Sequence, residues 1–503
     1  MLERIEKIVK YAIKVAEAIK SSNYIRIISH YDSDGITSAS IMVKALLRIG
    51  KPFHLSFVNQ LDEEIIKNVA RDAKEKNMSV VFLDLGSGFL NEIQNYFEKN
   101  ITVVICDHHQ VIGETYSKNI FHLNPVIYGI EDNISGSGVT YIVARAISEK
   151  NRDLSELAII GAIGDAQVGS IGSDWGLMGL NKEILKDAVV EKKIKVDKGL
   201  RLFGRTTRPI HKVLEYSIDP YIPGITGSES ASVQFLKEIG IELKNGNKWR
   251  VLKDLTDEEQ KKLATHIILE RIRGNVENPD WIFGDVYELL DKNEYSDANE
   301  FATILNAFGK QGKANLAVAL CLNNEWAFEM VNTILEKYRK EIGSAVRWVE
   351  SNKKHIKESE NAYYIMAGKN ISEHIISNVA SIVNRSMLTD KLLFAFADTE
   401  NGNVKVSARA DDSFVDRGLS LMDIVSETAK EVGGYGGGHR GAAGATIPSD
   451  KVEKFIDAVD KKINKLLKQE KKIVDTGDNK GAENGRKTKK EVEGEGLVQY
   501  LSS

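Results

Sequence analysis

Between residues 24 and 106, short apolar runs alternate with amphipathic stretches at helical spacing, and this alternation sharply narrows the folds open to the chain. The apolar runs cover 24–29, 53–58, 79–83 and 101–106, and the helical stretches cover 36–49, 63–76 and 91–99. Short strands separated by helices make a parallel sheet covered on both faces. In such a sheet the ligand crevice lies beyond the carboxyl ends of the strands. Charged residues gather at those ends: His30, Asp32 and Asp34 ahead of Gly35, Asp84 after the third run, and Asp107, His108 and His109 after the fourth. A further carboxylate, Asp165, closes the apolar helical run 154–164.

An unpaired carboxylate near a core is costly to desolvate. A pair of divalent ions removes that cost and turns such a cluster into a hydrolytic centre. Residues two apart in an extended chain point the same way, so His30, Asp32 and Asp34 project together. An Asp at a strand end often only caps the next helix. Adjacent histidines after an apolar strand have little structural use, and neither has a carboxylate at the end of an apolar helix. Carboxylates and imidazoles without thiolates favour Mn²⁺, with Mg²⁺ as the alternative, over structural zinc. The residues therefore read as a two-metal phosphoesterase.

At 503 residues the chain is long enough for two or three domains. A formal net charge of -4 neither demands nor forbids a polyanionic partner, so nucleic-acid binding must come from local basic patches. Two cysteines, Cys106 and Cys321, are too few for a disulfide scaffold and fit a reducing cytoplasm. Residues 1–20 mix Lys and Glu with apolar residues at helical spacing, unlike a signal peptide, and no run is apolar enough to span a bilayer. The expected location is cytoplasmic, with no membrane partner.

The expected domains are a catalytic α/β domain over 1–195, a linker and separate helical insertion over 196–360, a smaller α/β domain over 361–468, and a disordered tail over 469–503. The insertion opens with a basic run, Arg201, Arg205, Arg208 and Lys212, suited to a polymer's phosphates. Within the smaller domain, Gly433 to Gly444 is rich in glycine. Its Gly436, Gly437 and Gly438 amides can approach a phosphate closely, while His439 and Arg440 add donors or charge. Ser407 and Arg409, at the end of the strand before it, offer a second phosphate clamp.

These motifs resemble the DHH phosphoesterase superfamily, named for the triplet that stands here as Asp107-His108-His109. The segment 436–444 is similar to the Gly-Gly-Gly-His-x-x-Ala-Ala-Gly signature of its associated C-terminal domain. Length and the insert between the two domains resemble archaeal RecJ-like single-strand exonucleases. The resemblance implies that His30, Asp32 and Asp84 hold one metal ion. A second would be held by Asp34, Asp84, His108 and Asp165, with Asp84 bridging. It implies that His109 contacts the scissile phosphate and that Asp107 orients the imidazoles. Ser407, Arg409, the Gly436–Gly438 amides, His439 and Arg440 would hold the end of single-stranded DNA or RNA across a cleft, in DNA replication or repair. Two alternatives stand beside this reading. One is a small-substrate phosphoesterase of the nano-RNase or phosphoadenosine phosphatase type. The other is a replisome scaffold with weak or no catalysis, docking on replicative helicase-complex proteins.

Overall fold

The computed structural model describes residues 2–476 except 115–116, 131–133, 172–173, 218–219, 277, 293–294, 389, 411–413, 415–416 and 439. It divides into two compact units, Met1–Tyr338 and Arg339–Ser503.

The first unit is built on the expected parallel sheet. Its strands are β1 (Ile25–His30), β2 (Phe53–Val58), β3 (Ser79–Leu83), β4 (Val103–Cys106) and β5 (Ile120–Leu123), in the order β2-β1-β3-β4-β5. All neighbours are parallel. The chain runs outward to β2 on one side of β1 and to β3 on the other, so the switch point lies between β1 and β3. Strand side chains alternate between two cores. Val80 and Phe82 face the core beneath α3 (Glu63–Glu75) and α4 (Leu90–Tyr96), whereas Val81 and Leu83 face the one formed with α1 (Leu2–Ser21), α2 (Ser33–Arg48), α5 (Gly136–Ile147) and α6 (Ser155–Gly164).

Helix α6 is apolar all round because it is covered on several sides, by α2, α5 and the helix Ala298–Lys310. Small residues set its approach. A Cβ on Gly161 would fall 2.1 Å from Ser137 Oγ and 2.5 Å from Asp34 Oδ1. After α6 the chain forms a hairpin, Val168–Ile171 paired antiparallel with Asp174–Leu177.

The expected separate helical insertion is two different things. The strands Ile194–Leu200 and Phe283–Leu289 pair antiparallel and bracket a segment with its own core, including Leu214, Leu236, Leu263 and Ile267. Beyond that ribbon, Phe301, Leu305 and Phe308 join the core of α2 and α6. Helical periodicity marks an apolar face but not which core that face joins.

The second unit is a six-stranded mixed sheet. Its order is Ile356–Glu358, Ala362–Gly368, Leu392–Asp398, Asn403–Arg409, Ala442–Pro448 and Tyr435–Gly438. Tyr364, Phe394, Phe396 and Phe455 fill its core. The final helix, Val452–Thr476, runs past the expected end at Lys468, and the rest of the expected tail lies outside the described residues.

The packing of α6 yields a test. Gly161→Ala is expected to destabilise the fold by about 1–3 kcal/mol, the usual range for overpacking a tight contact. Urea unfolding measures it, and an unchanged midpoint would contradict the packing described.

Candidate metal centre

His30, Asp84 and Asp107 follow from the ends of β1, β3 and β4, so the parallel register delivers them to one edge of the sheet. Helix α2 begins at once after β1. Asp32 is its N-cap and accepts a hydrogen bond from the Gly35 amide at 3.0 Å. Asp34, in the first turn of α2, is 1% exposed and reaches the N-terminus of α5, where the amides of Gly136 and Ser137 donate to its two oxygens at 2.7 and 3.0 Å. Asp165 caps the carboxyl end of α6.

Three overlapping groups result, His30–Asp32–Asp84, Asp84–His108–His109 and Asp34–His108–Asp165, and Asp84 belongs to the first two. Its Oδ2 lies 3.6 Å from His30 Nδ1, which is itself 3.0 Å from Asp32 Oδ2. Its Oδ1 lies 3.4 Å from His108 Nε2, which is also 3.6 Å from Asp165 Oδ2 and 3.7 Å from Asp34 Oδ2. Asp84 is 2% exposed and held at φ 58°, a left-handed conformation uncommon outside glycine. A Cβ on Gly136 would sit 2.6 Å from Asp84 Oδ1, so glycine is required there.

Among the described residues, Asp84 Oδ1 and His108 Nε2 are both buried without a hydrogen-bond partner. Buried polar atoms facing one another in this way are what a cation site leaves when the ion is not counted. The donor set is oxygen and imidazole nitrogen without thiolate, so the residues fit hard divalent ions.

The electrostatics point the same way. Burial alone would depress the His108 imidazole, but Asp84, Asp165 and Asp34 outweigh it and push it up to about 10. His109 is likewise pushed up to about 9, burial being overcome by Asp107 and Asp84. Burial, reinforced by Asp84 and Asp165, holds the Asp34 carboxyl well above its ordinary range. So many carboxylates in one low-dielectric site need positive charge beside them.

Asp107 plays a different part. Fully buried, its Oδ1 accepts from the His108 amide at 2.8 Å and from His109 Nδ1 at 2.7 Å, while Oδ2 accepts from the Ser87 amide at 2.9 Å. Its hydrogen bonds fix both histidines. Behind it, Asn124 donates to Ser87 Oγ and to the His109 carbonyl, each at 2.8 Å. Gln167 donates to Asp165 Oδ2 at 2.8 Å and accepts from buried Asn181 at 2.6 Å. Sequence reasoning missed Ser87, Asn124, Gln167 and Asn181. Only Gln167, two residues after Asp165, carried a positional hint.

In the second unit, Gly436, Gly437 and Gly438 form an edge strand paired with Ala445, Gly444 and Ala443, not a loop. Arg440 is exposed, and His439 lies outside the described residues. Ser407 is buried in the sheet opposite Gly444. The Arg409 guanidinium donates to Ser381 Oγ at 2.8 Å and to the Ser377 carbonyl at 3.1 Å. The basic run of the first unit is engaged internally. Arg201 stacks on Trp175, Arg205 faces Asp297, Arg208 lies over Tyr216, and Lys212 pairs with Glu215 and Glu229.

Known proteins share this organisation. The DHH family N-terminal domain matches residues 24–164, the DHH-CID domain 202–281 and the DHHA1 domain 358–465. An uncharacterized protein of Methanocaldococcus jannaschii is 34% identical over 474 residues, 93% of this chain and 100% of that protein. The single-stranded-DNA-specific exonuclease RecJ of Thermus thermophilus is 24% identical over 211 residues, 41% of this chain and 30% of that protein. Among solved structures, RecJ from Thermus thermophilus in complex with Mn²⁺ has a TM-score of 0.54 at 17% identity, covering 90% of this chain and 54% of that one. CDC45 from Entamoeba histolytica has a TM-score of 0.56 at 13% identity, covering 91% of this chain and 97% of that one. This chain thus spans about half the length of the RecJ structure, and these two likenesses concern the fold. No described helix is long and apolar enough to cross a membrane.

A switch-point cluster of acids and histidines on a parallel sheet, followed in sequence by a DHHA1 domain, defines a DHH phosphoesterase fold. The chain belongs to the DHH superfamily and is a RecJ-like member of it.

At pH 7 the metal-free His108 and His109 lie below their raised values and carry protons. If Mn²⁺ binds through His108 Nε2, it displaces one. Calorimetric titration in two buffers of different ionisation heat is expected to show buffer-dependent heats, with affinity rising as pH rises. Heats that do not depend on the buffer would contradict this.

Proposed function

We propose that the chain is a two-metal exonuclease that hydrolyses phosphodiester bonds from an end of single-stranded nucleic acid. The observation that carries this reading is the sharing of Asp84, with one oxygen toward the His30–Asp32 group and the other toward the His108–Asp34–Asp165 group. Two ions bound there, Mn²⁺ by preference and Mg²⁺ as the alternative, would supply charge to the attacking and leaving oxygens of an in-line displacement.

The chain's own residues do the rest. His30, Asp32 and Asp84 would hold one ion, and Asp34, Asp84, His108 and Asp165 would hold the other. His109, more than half exposed, contacts the scissile phosphate, and its bond to Asp107 sets the ring's tautomer and orientation. Gln167 and the α5 amides fix Asp165 and Asp34. In the second unit, Arg409, Arg440, His439, Ser407 and the Gly436–Gly438 amides bind the strand's end, Arg409 exchanging its contacts to Ser377 and Ser381 for phosphate. Two free buried thiols, Cys106 and Cys321, agree with work in the cytoplasm, in DNA replication or repair. The internal pairing of Arg205 and Lys212 gives no support to a phosphate track along the basic run.

A second reading, a replisome scaffold, draws support from the fold shared with CDC45. The complete set of ligating groups favours catalysis, because a scaffold has no use for them.

Single-stranded DNA and RNA, labelled separately at each end and incubated with Mn²⁺ or Mg²⁺, are expected to release mononucleotides from one end. Activity confined to dinucleotides or phosphoadenosine would contradict the exonuclease reading, and binding to helicase-complex proteins without hydrolysis would favour the scaffold. Asp84→Ala is expected to abolish the metal-dependent activity. Asp107→Asn, which weakens the support of the histidines and the bond to the Ser87 amide, is expected to lower it about 10–100-fold.

A further inference from the structure

A second buried charge cluster lies at the start of α6, the helix whose far end carries Asp165. Its hub is Lys292, which is 0% exposed and follows the ribbon strand Phe283–Leu289. The ammonium donates to Asn323 Oδ1 at 2.6 Å and to the Cys321 carbonyl at 3.1 Å. It also lies 3.3 Å from Glu156 Oε1 and 3.4 Å from Asp291 Oδ1. Lys193, just ahead of the ribbon strand Ile194–Leu200, holds Asp291 Oδ2 at 3.0 Å. All of these residues belong to the first unit.

The cluster has one donor too few. Among the described residues, Glu156 Oε2 and Asp291 Oδ1 are buried with no hydrogen-bond partner, although the two side chains are within hydrogen-bond reach of each other. Two carboxylates only accept, and leaving both oxygens unmet in the interior is costly. A single proton between them turns one into a donor and satisfies both. The surroundings select its carrier. Burial would raise Asp291, but Lys292 and Lys193 outweigh it and hold that carboxyl below its ordinary range. Glu156 is deeper, and burial, reinforced by Asp291, outweighs Lys292 and Lys193 and pushes it up to about 7. The charged groups that face Glu156 are Lys292, Asp291 and Lys193; Asp153, which acts on Lys193, is itself paired with Arg48. Burial pushes the neighbouring Cys321 thiol up to about 11, so it stays neutral.

We propose that Glu156 keeps a proton in the folded chain and donates it to Asp291, making the cluster a latch that ties α6 to the ribbon and loosens when the proton leaves to solvent. The fold binds this proton more tightly than the unfolded chain does. The latch is therefore closed at acid pH, and its contribution is lost as pH rises through about 7. It lies outside the catalytic cluster and does not depend on exonuclease activity.

The test uses the full chain with ¹³C-labelled glutamate, followed by infrared spectroscopy and hydrogen exchange from about pH 5 to about pH 8. Glu156→Gln keeps an N–H donor for Asp291 and removes the ionisable proton. The native chain is expected to show a protonated glutamic acid band that disappears as pH rises through about 7 and is absent from Glu156→Gln. Over the same range, after correction for intrinsic rates, the ribbon amides 194–200 and 283–289 should lose about 10–100-fold of their protection in the native chain and hold it in Glu156→Gln. Asp291→Asn, a second variant should Glu156→Gln not fold, is expected to shift the band because it replaces the proton's acceptor. The latch is overturned if the native chain shows no such band. It is equally overturned if the band survives unmoved in the variants, and so belongs to another acid such as buried Glu300, or if Glu156→Gln loses ribbon protection with pH as the native chain does.

Discussion

The carboxylates of Asp34, Asp84 and Asp107 are almost wholly withdrawn from water at the carboxyl end of one parallel sheet, and much of the surrounding structure answers that desolvation. Asp107 is met entirely by the protein, through backbone amides and the His109 ring. Asp34 is met at the positive end of α5, by two amides and the helix dipole. Asp84 is not fully met. One of its oxygens faces the buried nitrogen of His108 at 3.4 Å without a hydrogen bond. The three carboxylates thus have different work although they share one edge of the sheet.

This arrangement constrains the helices. For α5 to present its first amides to Asp34, its N-terminus must come against Asp84, which only glycine at position 136 permits. For α6 to bring Asp165 to His108, its middle must lie directly against Asp34, Ser137 and Thr37, which only glycine at position 161 permits. The close packing that covers the sheet also sets the positions of the ligating atoms, so the chemistry and the core share the same tolerances.

The acids and histidines were open to sequence reasoning because strand ends carry local signals. Apolar runs that stop at charge, in a chain alternating strand and helix, are enough to locate a crevice. The groups behind them were not legible in this way. Ser87, Asn124 and Asn181 are neutral residues far apart in sequence, and nothing local distinguishes them from surface polar residues. The fate of Phe301 and Phe308 was hidden for a related reason, since amphipathicity shows a helix has a buried face without naming the core it enters. Strand β5 escaped notice because its four residues include His122, which breaks the apolar run but is buried against Ser87. The glycines 436–438 were expected to cradle a phosphate with their amides, and cross-strand pairing with 443–445 makes them a sheet edge. The basic run of 201–212 illustrates the converse error, in which charges that looked available are held by Trp175, Asp297 and Glu215.

The account stands on Asp84 being common to two ion sites. Anomalous diffraction at the manganese edge, with spin-resonance titration of free Mn²⁺ in solution, counts the ions directly. The native chain should bind two per molecule, and Asp84→Ala should lose both, because each site surrenders a ligand. A native chain that binds a single ion, or a variant that keeps one ion at native affinity, would contradict the shared centre.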